Sequence, residues 1–412
     1  MDKKLVFVWA LYDFANSILI INGILYFSQW IVVDNNLPDI WYAATFIVST
    51  ILLLVTSSIF GAWSDKVGKR MPFLIVTTAL AGVFGIGTPL SGQLIEHPFL
   101  RVAVPIAIYT LGIYVYQLSL IFYNALISSV ANRANFAKVA GIGEMAGNLG
   151  FLAGGIITLP IIMGGVTFFG GSGRLQTLYP ASLVFILLSL PLFFFFKEKH
   201  FTKTVKVAIS LKETLAALGK LQKIRGVIPF LLAYYLASDA LLTFGGFFPI
   251  YLEKVLHLSD QEKFYFLTFS TIFFALGAIT LGYLADRIGL VKGFFLTVLV
   301  TAVFFVAISP IRYIPAFLIM AEVISISWGS MYVFMRSLYA RLVPEGQHGI
   351  SFSIYAMFSR FASIVGPLVW SMTVLLLAGI GDNVRYSVAV FVLSVLLFVA
   401  LPFIRKIPEP RI

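Results

Sequence analysis

The sequence predicts an all-α membrane protein of twelve transmembrane helices, arranged as two six-helix halves. Its 412 residues are 60% hydrophobic and only 11% charged, and the mean hydropathy is +0.97. Soluble domains are about 45–50% apolar and about 25% charged, so a water-soluble fold could not bury this much apolar surface. The absence of cysteine excludes a disulfide scaffold. Twelve long apolar runs predict the number of helices, and one long polar connection divides them into two halves.

Each apolar run is long enough to cross a bilayer, which requires about 20 mostly apolar residues in a helix. The twelve runs cover 5–33, 40–62, 72–95, 99–129, 138–165, 178–196, 226–252, 264–284, 291–310, 313–340, 350–379 and 384–404. The first run begins at Leu5 without a separate charged segment or a cleavage site. We therefore expect a retained helix rather than a signal peptide. An even number of spans places both termini on one side.

The lysines and arginines predict which side that is. Connections on the side of both termini hold about 21 of the 29 Lys and Arg, and the opposite connections hold about six. Positive residues remain cytoplasmic, so we expect both termini in the cytoplasm. The net charge of +11 then reflects membrane topology rather than a nucleic-acid partner. We expect a multi-pass protein of the plasma membrane, although an organelle membrane would also suit these helices.

The long polar connection, 197–225, separates an N-terminal bundle, 1–196, from a C-terminal bundle, 226–412. Within it Ser210 and Glu213 are spaced as a capping box. Leucines at 211, 215, 218 and 221 follow on one helical face. We expect a short amphipathic helix on the inner membrane surface; a simple solvated linker is the alternative.

A motif repeats after the second run of each half, at 61–70 and 282–293. The matching residues are Gly61, Asp65, Lys66, Gly68, Lys69 and Arg70 in the first copy, and Gly282, Asp286, Arg287 and Gly289 in the second. A glycine permits close helix approach, and an aspartate at a helix end can pair with a cation or cap a neighbouring helix. These contacts suit a cytoplasmic gate, although any short cytoplasmic turn collects such residues.

At these residues the sequence resembles the major facilitator superfamily, whose loop between helices two and three carries this motif in both halves. Four blocks, at 9–17, 123–155, 233–246 and 340–368, resemble its vacuole-effluxer-like branch. The first reads WALYDFANS and the last ARLVPEGQHGISFSIYAMFSRFASIVGPL. The resemblance implies a twelve-helix transporter, and the fungal vacuolar members are associated with release of neutral amino acids such as leucine, isoleucine and tyrosine.

Arg336 lies in a predicted span but close enough to the inner surface to snorkel. Five other charged residues fall deep inside predicted spans, where each costs about 2.5–3.5 kcal/mol and so indicates a functional site. They are Asp13, Glu144, Asp239, Glu322 and Arg360. Acids in a low dielectric can bind and release a proton near neutral pH, so we expect proton coupling. Asp13 and Asp239 are the leading carriers because they lie in equivalent helices, and Glu144 and Glu322 follow.

Each of these charges also has a structural interpretation. Asp13 would cap or pair at the inner end of the first helix, and Glu144 would neutralise Arg133 or Lys138. Arg360 would hold either the charge of an acid or a substrate carboxylate, which it can bind in a bidentate manner. Expected substrate-binding residues are Tyr12, Asn16, Tyr235, Trp328 and Arg360, although aromatic rings in this chain more often pack or face lipid.

Two further features suggest movement. Helix five has glycine pairs four residues apart, Gly143 with Gly147 and Gly150 with Gly154. These allow close packing, either as a sliding surface or as a static one. Gly366 and Pro367 would bend helix eleven.

The sequence therefore predicts a secondary transporter for a small solute, with a neutral amino acid as the expected substrate and alternating access as the mechanism. It has no P-loop or nucleotide-binding glycine motif, and the four histidines have no second ligand at metal spacing. We expect no enzyme activity, no metal and no cofactor. Expected partners are the substrate, a proton or other coupling ion, and the lipid bilayer, with the chain as a monomer and no nucleic acid. Alternatives are an exporter of an amphiphilic drug or peptide, and a non-transporting receptor.

Overall fold

The computed structural model describes residues 3–131, 135–169, 173–196, 198, 219, 221–343 and 348–409. This part of the chain folds into α-helices with short π and 3₁₀ turns. The helices of the N-terminal half are α1 (Lys3–Asn22), α2 (Ile40–Val67), α3 (Met71–Leu94), α4 (Leu100–Val130), α5 (Phe136–Ile162) and α6 (Leu178–Phe195). Those of the C-terminal half are α7 (Val227–Leu256), α8 (Asp260–Ile288), α9 (Leu290–Ile308), α10 (Ile314–Leu342), α11a (His348–Phe361), α11b (Val365–Leu376) and α12 (Asp382–Ile404).

Twelve segments within the described residues are long and apolar enough to cross a membrane. Each coincides with one of the twelve predicted runs, and most boundaries differ by only a few residues. The predicted fold class, an all-α membrane protein of twelve spans, is confirmed.

The first span departs from a single regular helix. After Asn22 it continues as two π-helical turns, Gly23–Phe27 and Trp30–Asp34. Side chains compete for the backbone here, since Ser28 donates to the Ile24 carbonyl at 2.6 Å and Gln29 donates to the Leu25 carbonyl. Single π turns are common at functional sites.

The eleventh span is broken rather than continuous. The first piece ends at Phe361 and the second begins at Val365, with Gly366 and Pro367 in its first turn. Proline is tolerated there because its missing N–H would have no intrahelical partner. The bend expected at Gly366 and Pro367 is therefore a break immediately before them.

The chain divides into two compact units. The first comprises 1–37 and 44–209, and the second comprises Pro38–Ala43 and 210–412. In the first, α1 packs against α5 and α6, while α3 packs against α4 and α6. In the second, α7 and α9 pack against α12, and α10 packs against α8 and α9. The expected amphipathic helix begins at Ser210, and nearly all of it lies outside the described residues.

Candidate functional site

In the first unit, Asp13 is part of a chain of polar side chains. It is half-buried on α1. Asn16, one turn later, donates from Nδ2 to Asp13 Oδ1 at 3.2 Å. Tyr116 of α4 donates its hydroxyl to Asn16 Oδ1 at 3.3 Å. Two expected site residues, Asp13 and Asn16, are thus hydrogen-bonded to each other, and Tyr116 orients the amide.

Tyr12 lies on another side of α1 and is fully buried. Its hydroxyl donates to Ser119 Oγ at 3.1 Å and lies 2.8 Å from Thr78 Oγ1. Its ring stacks on Tyr123 with a centroid separation of 4.7 Å. These contacts fix α1 against α3 and α4, and in this arrangement the ring has no exposed surface.

The glycine face of α5 packs directly against α1. A Cβ on Gly150 would lie 2.1 Å from the Phe14 carbonyl oxygen, and one on Gly143 would lie 2.8 Å from Asp13 Oδ2. The close approach that the glycine spacing predicts is therefore present. Glu144 is exposed. The side chains of Arg133 and Lys138, its alternative partners, lie outside the described residues.

In the second unit, Asp239 holds the start of α11b. It is fully buried on α7, and its Oδ1 accepts the Gly366 backbone N–H at 2.7 Å. A Cβ on Gly366 would lie 2.5 Å from that oxygen and 2.1 Å from Thr243 Oγ1, so a side chain at this position would displace both groups. Asp239 Oδ2 has no hydrogen-bond partner among the described residues. The break in α11 thus faces a buried carboxylate with one unused oxygen.

Three further expected site residues belong to the second unit. Tyr235 is half-buried and lies one turn before Asp239 on α7. Arg360 is half-buried at the end of α11a, next to the break, and forms no ion pair with a described residue. The Trp328 ring packs where Gly245 leaves room, and its Nε1 has no partner within the described part of the chain.

Glu322 lies apart from this group, between α10 and α8. Its Oε1 accepts a hydrogen bond from Ser270 at 2.8 Å. Of the described residues, no three His, Cys, Asp or Glu side chains come together as metal ligands.

Each of the repeated loops has a glycine with a positive φ at the end of its helix. Gly68 ends α2 with φ +72°, and Gly289 ends α8 with φ +89°, a conformation that glycine adopts without a steric penalty. Lys66, Lys69 and Arg287 are exposed. Arg70 is buried, and its Nη1 donates to the Ala125 carbonyl of α4 at 2.9 Å. The side chains of Asp65 and Asp286 lie outside the described residues, as does any contact they make. Gly61 is buried in α2, and Gly282 is half-buried in α8.

Two glutamates that the sequence analysis did not single out complete these loops. Glu198, after α6, accepts the backbone N–H of Arg70 at 2.8 Å and of Met71 at 3.0 Å, at the start of α3. Glu409, after α12, accepts the N–H of Leu290 at 2.5 Å and of Val291 at 3.1 Å, at the start of α9. A carboxylate at a helix N-terminus satisfies free N–H groups and the helix dipole. The sequence could have indicated both glutamates, because each is the first acidic residue after the last helix of its half.

Asp39 is a third missed residue. Its Oδ2 accepts the Trp370 Nε1–H at 2.9 Å, and its Oδ1 accepts the Tyr386 hydroxyl at 2.8 Å. All three belong to the second unit. Burial raises the pKa of Asp39 above its usual range, and the two hydrogen bonds oppose that shift. In the sequence, an aspartate just before an apolar run has the pattern of an ordinary loop residue. Its two partners become evident only in the folded structure.

Comparison with known proteins adds the family. The Major Facilitator Superfamily model matches residues 148–367 and 247–411, together more than half of the chain. YxiO of Bacillus subtilis, described as an uncharacterized MFS-type transporter, is 22% identical over 97% of this chain and 94% of its own length. Autophagy-related protein 22 of Candida glabrata is 25% identical over 49% of this chain and 39% of its own length. A mutant of the nucleoside transporter NupG shares the fold, with a TM-score of 0.73 at 14% identity over 98% of this chain and 100% of that one.

The family that the repeated loop motif indicated is thus confirmed, whereas membership of the vacuole-effluxer-like branch stays a prediction. The matched family consists of membrane transporters that bind small molecules, not of enzymes. Twelve spans, a loop motif repeated in both halves with a positive-φ glycine in each copy, and the family match lead to one conclusion: this chain belongs to the Major Facilitator Superfamily and is a secondary transporter.

Proposed function

We propose that this transporter moves a small neutral amino acid by alternating access and couples that movement to protons through Asp239 and Asp13. The observation that carries the proposal is the Asp239 carboxylate, buried with a free Oδ2 and bound to the broken helix through Gly366. Broken helices in transporters commonly form substrate and coupling-ion sites. Here the carboxylate and the break are in direct contact.

Protonation of Asp239 would change that contact. An ionised carboxylate accepts the Gly366 N–H as a charge-assisted bond, which is roughly twice as strong as a neutral one. A proton on the free Oδ2 removes the negative charge and weakens the bond to α11b. Proton binding would therefore loosen the second piece of α11 relative to α7, which links protonation to a conformational step.

Asp13 supplies the corresponding group in the first unit. Its Oδ1 accepts a bond from Asn16, and Tyr116 holds that amide from the other side. The amide stabilises the charged carboxylate, so proton uptake would weaken a bond within α1. We place Glu144 and Glu322 behind these two as carriers, since neither is in contact with a helix break.

Arg360 is our proposed ligand for the substrate carboxylate. A guanidinium in a membrane span is costly without a counter-charge, and Arg360 forms no ion pair with a described residue. It lies beside the break in α11, with Tyr235 and Trp328 in the same unit. The amino-acid assignment also draws on the partial similarity to autophagy-related protein 22. Asn16 and Tyr12 are our proposed contributors from α1, Tyr12 by positioning the helix.

We further propose that both termini are cytoplasmic, that the protein resides in the plasma membrane as a monomer, and that the two loops form the cytoplasmic gate. The basic residues support the orientation, since they concentrate in the connections on one side. In the loops, the glutamate caps on α3 and α9 would have to release or rotate if these helices moved.

Counterflow in proteoliposomes tests the proposal. Vesicles loaded with unlabelled leucine, isoleucine or tyrosine should accumulate the labelled amino acid, and an imposed pH gradient should change the amount. Glu96→Gln, at an exposed acid after α3, is a matched control that should behave as wild type. Exchange of an amphiphilic drug or a peptide instead would favour the exporter alternative. Binding without any exchange would favour a receptor.

A further inference from the structure

A groove on the second unit is lined by apolar and aromatic residues together with two glutamates. It lies between α8 and α10 and encloses about 760 Å³, within the range of about 300–1,000 Å³ that is typical of small-molecule sites. Tyr265 and Phe269 on α8 and Ile319 on α10 line it and are more than half exposed at 55%, 54% and 68%. The groove is therefore open along its length.

Two glycines lie just beyond the end of the groove that is lined by Phe273 and Ile326. A Cβ on Gly277 of α8 would lie 2.1 Å from the Ile326 carbonyl oxygen, and one on Gly329 of α10 would lie 2.0 Å from the Phe274 carbonyl oxygen. The two helices therefore touch backbone to backbone there. The groove occupies the space between them on the side where both helices begin, from Leu258 and Ile314 to Ile326.

Glu322 lines this groove and has one carboxylate oxygen without a partner among the described residues. The residue is only 8% exposed. Ser270 donates to Oε1 at 2.8 Å, whereas Oε2 is buried and has no hydrogen-bond partner within the described residues. At about 1.5 Å per residue, it lies about 12 Å along α10 from the start of that helix. A buried acceptor without a partner is costly, so a ligand that donates to Oε2 would be stabilised.

The charges of the groove select the kind of ligand. Its lining contains two acids, Glu322 and Glu262, and no lysine or arginine. Four aromatic rings, at 265, 266, 269 and 273, also line it, and ring faces attract cations. Glu262 already accepts bonds from the Ser259 N–H and hydroxyl at 2.7 Å, which leaves Glu322 as the deep acceptor.

We propose that the groove between α8 and α10 binds a lipophilic amine from the bilayer, with its protonated nitrogen on Glu322 and its apolar chain along the aromatic rings. This site is separate from the amino-acid site on α7 and α11, and in it the Glu322 carboxylate accepts the hydrogen bond of the ligand. It does not depend on the proposed function.

Photolabelling of the full-length protein in phosphatidylcholine vesicles tests this directly. The probes are dodecylamine and dodecanol that carry the same photoreactive group on the chain, followed by mass spectrometry of the labelled peptides. The amine should label the α8 and α10 residues around 265–269 and 319 about fivefold more than the alcohol, because its charged hydrogen bond to Glu322 is roughly 1 kcal/mol stronger than the neutral bond that the alcohol hydroxyl can donate. Glu322→Gln should reduce amine labelling to the alcohol level, and Glu96→Gln should not.

A second variant separates ligand binding from folding. Ile319→Trp fills the groove and leaves Glu322 in the sequence, so labelling by both probes should fall while the unfolding temperature stays near that of wild type. Equal labelling by amine and alcohol, unchanged labelling of Glu322→Gln, or labels only outside the groove would overturn the proposal. Labelling needs no transport, so loss of amino-acid counterflow would not affect this result.

Discussion

Replacement of Asp239 by asparagine is the substitution that separates proton coupling from substrate exchange. Asparagine retains an oxygen for the Gly366 N–H, which now lies 2.7 Å from Oδ1, but it cannot be ionised. Hydrogen bonds to charged groups contribute about 1.5–3 kcal/mol and neutral ones about 0.5–1.5 kcal/mol. The loss at this contact is then roughly 1 kcal/mol, which leaves the fold intact.

The effect on coupling is larger. If one proton moves with each substrate, a gradient of one pH unit supports roughly tenfold accumulation, equivalent to about 1.4 kcal/mol. Asp239→Asn should lose that accumulation while counterflow without a gradient persists. The assay is uptake of labelled leucine into proteoliposomes with and without the gradient, with Glu96→Gln as the control. A variant that still accumulates leucine tenfold would refute the role of Asp239.

Gly366→Ala perturbs the same contact from the other side. The new Cβ would lie 2.5 Å from Asp239 Oδ1 and 2.1 Å from Thr243 Oγ1. Overpacking of this kind costs about 1–3 kcal/mol, so the start of α11b must shift. We expect both counterflow and accumulation to fall, in contrast to Asp239→Asn.

Three other predictions concern stability and are measured by thermal unfolding of the purified protein. Glu198→Gln and Glu409→Gln should each destabilise the protein by about 0.5–2 kcal/mol as helix caps do, with additive effects in the double variant; a strongly non-additive pair would contradict two separate caps. Since the pKa of Asp39 is raised in the folded state, its contribution to stability is greatest below about pH 4 and is lost as the pH rises through the folded-state pKa. The stability difference between wild type and Asp39→Asn should therefore shift against wild type as the pH rises, and a difference that is constant with pH would be inconsistent with this. Gly150→Ala should destabilise by about 1–3 kcal/mol because its Cβ would meet the α1 backbone, whereas Gly141→Ala, with nothing within 4 Å, should not; equal effects would exclude the close α1–α5 contact as the cause.

The sequence was sufficient for the spans because their signal is local. An apolar run of about 20 residues has few alternatives to a membrane helix. The close packing of α5 was also predictable from Gly150 and its partner glycines, since only small residues allow that spacing, whereas its partner, α1, was not. The loop glycines could be identified because the motif occurs twice with the same offset.

The partners of polar residues were not predictable, since they depend on which helices meet. From the sequence, Tyr12 is an amphipathic ring next to Asp13. In the structure it lies on a different side of the helix and its hydroxyl contacts Thr78 and Ser119. Asp39 finds Trp370 more than 300 positions away along the chain. The π turns of the first span were not predictable from hydrophobic periodicity. They arise because the side chains of Ser28 and Gln29 compete for backbone carbonyls.

The central claim, amino-acid transport coupled to protons, is tested most directly by proton movement itself. Proteoliposomes that contain an internal pH dye and no imposed gradient would receive leucine on the outside, with an ionophore present to remove any membrane potential. We expect an internal pH change that requires leucine, saturates with its concentration and is absent in Asp239→Asn. Leucine counterflow without any pH change would contradict proton-coupled transport.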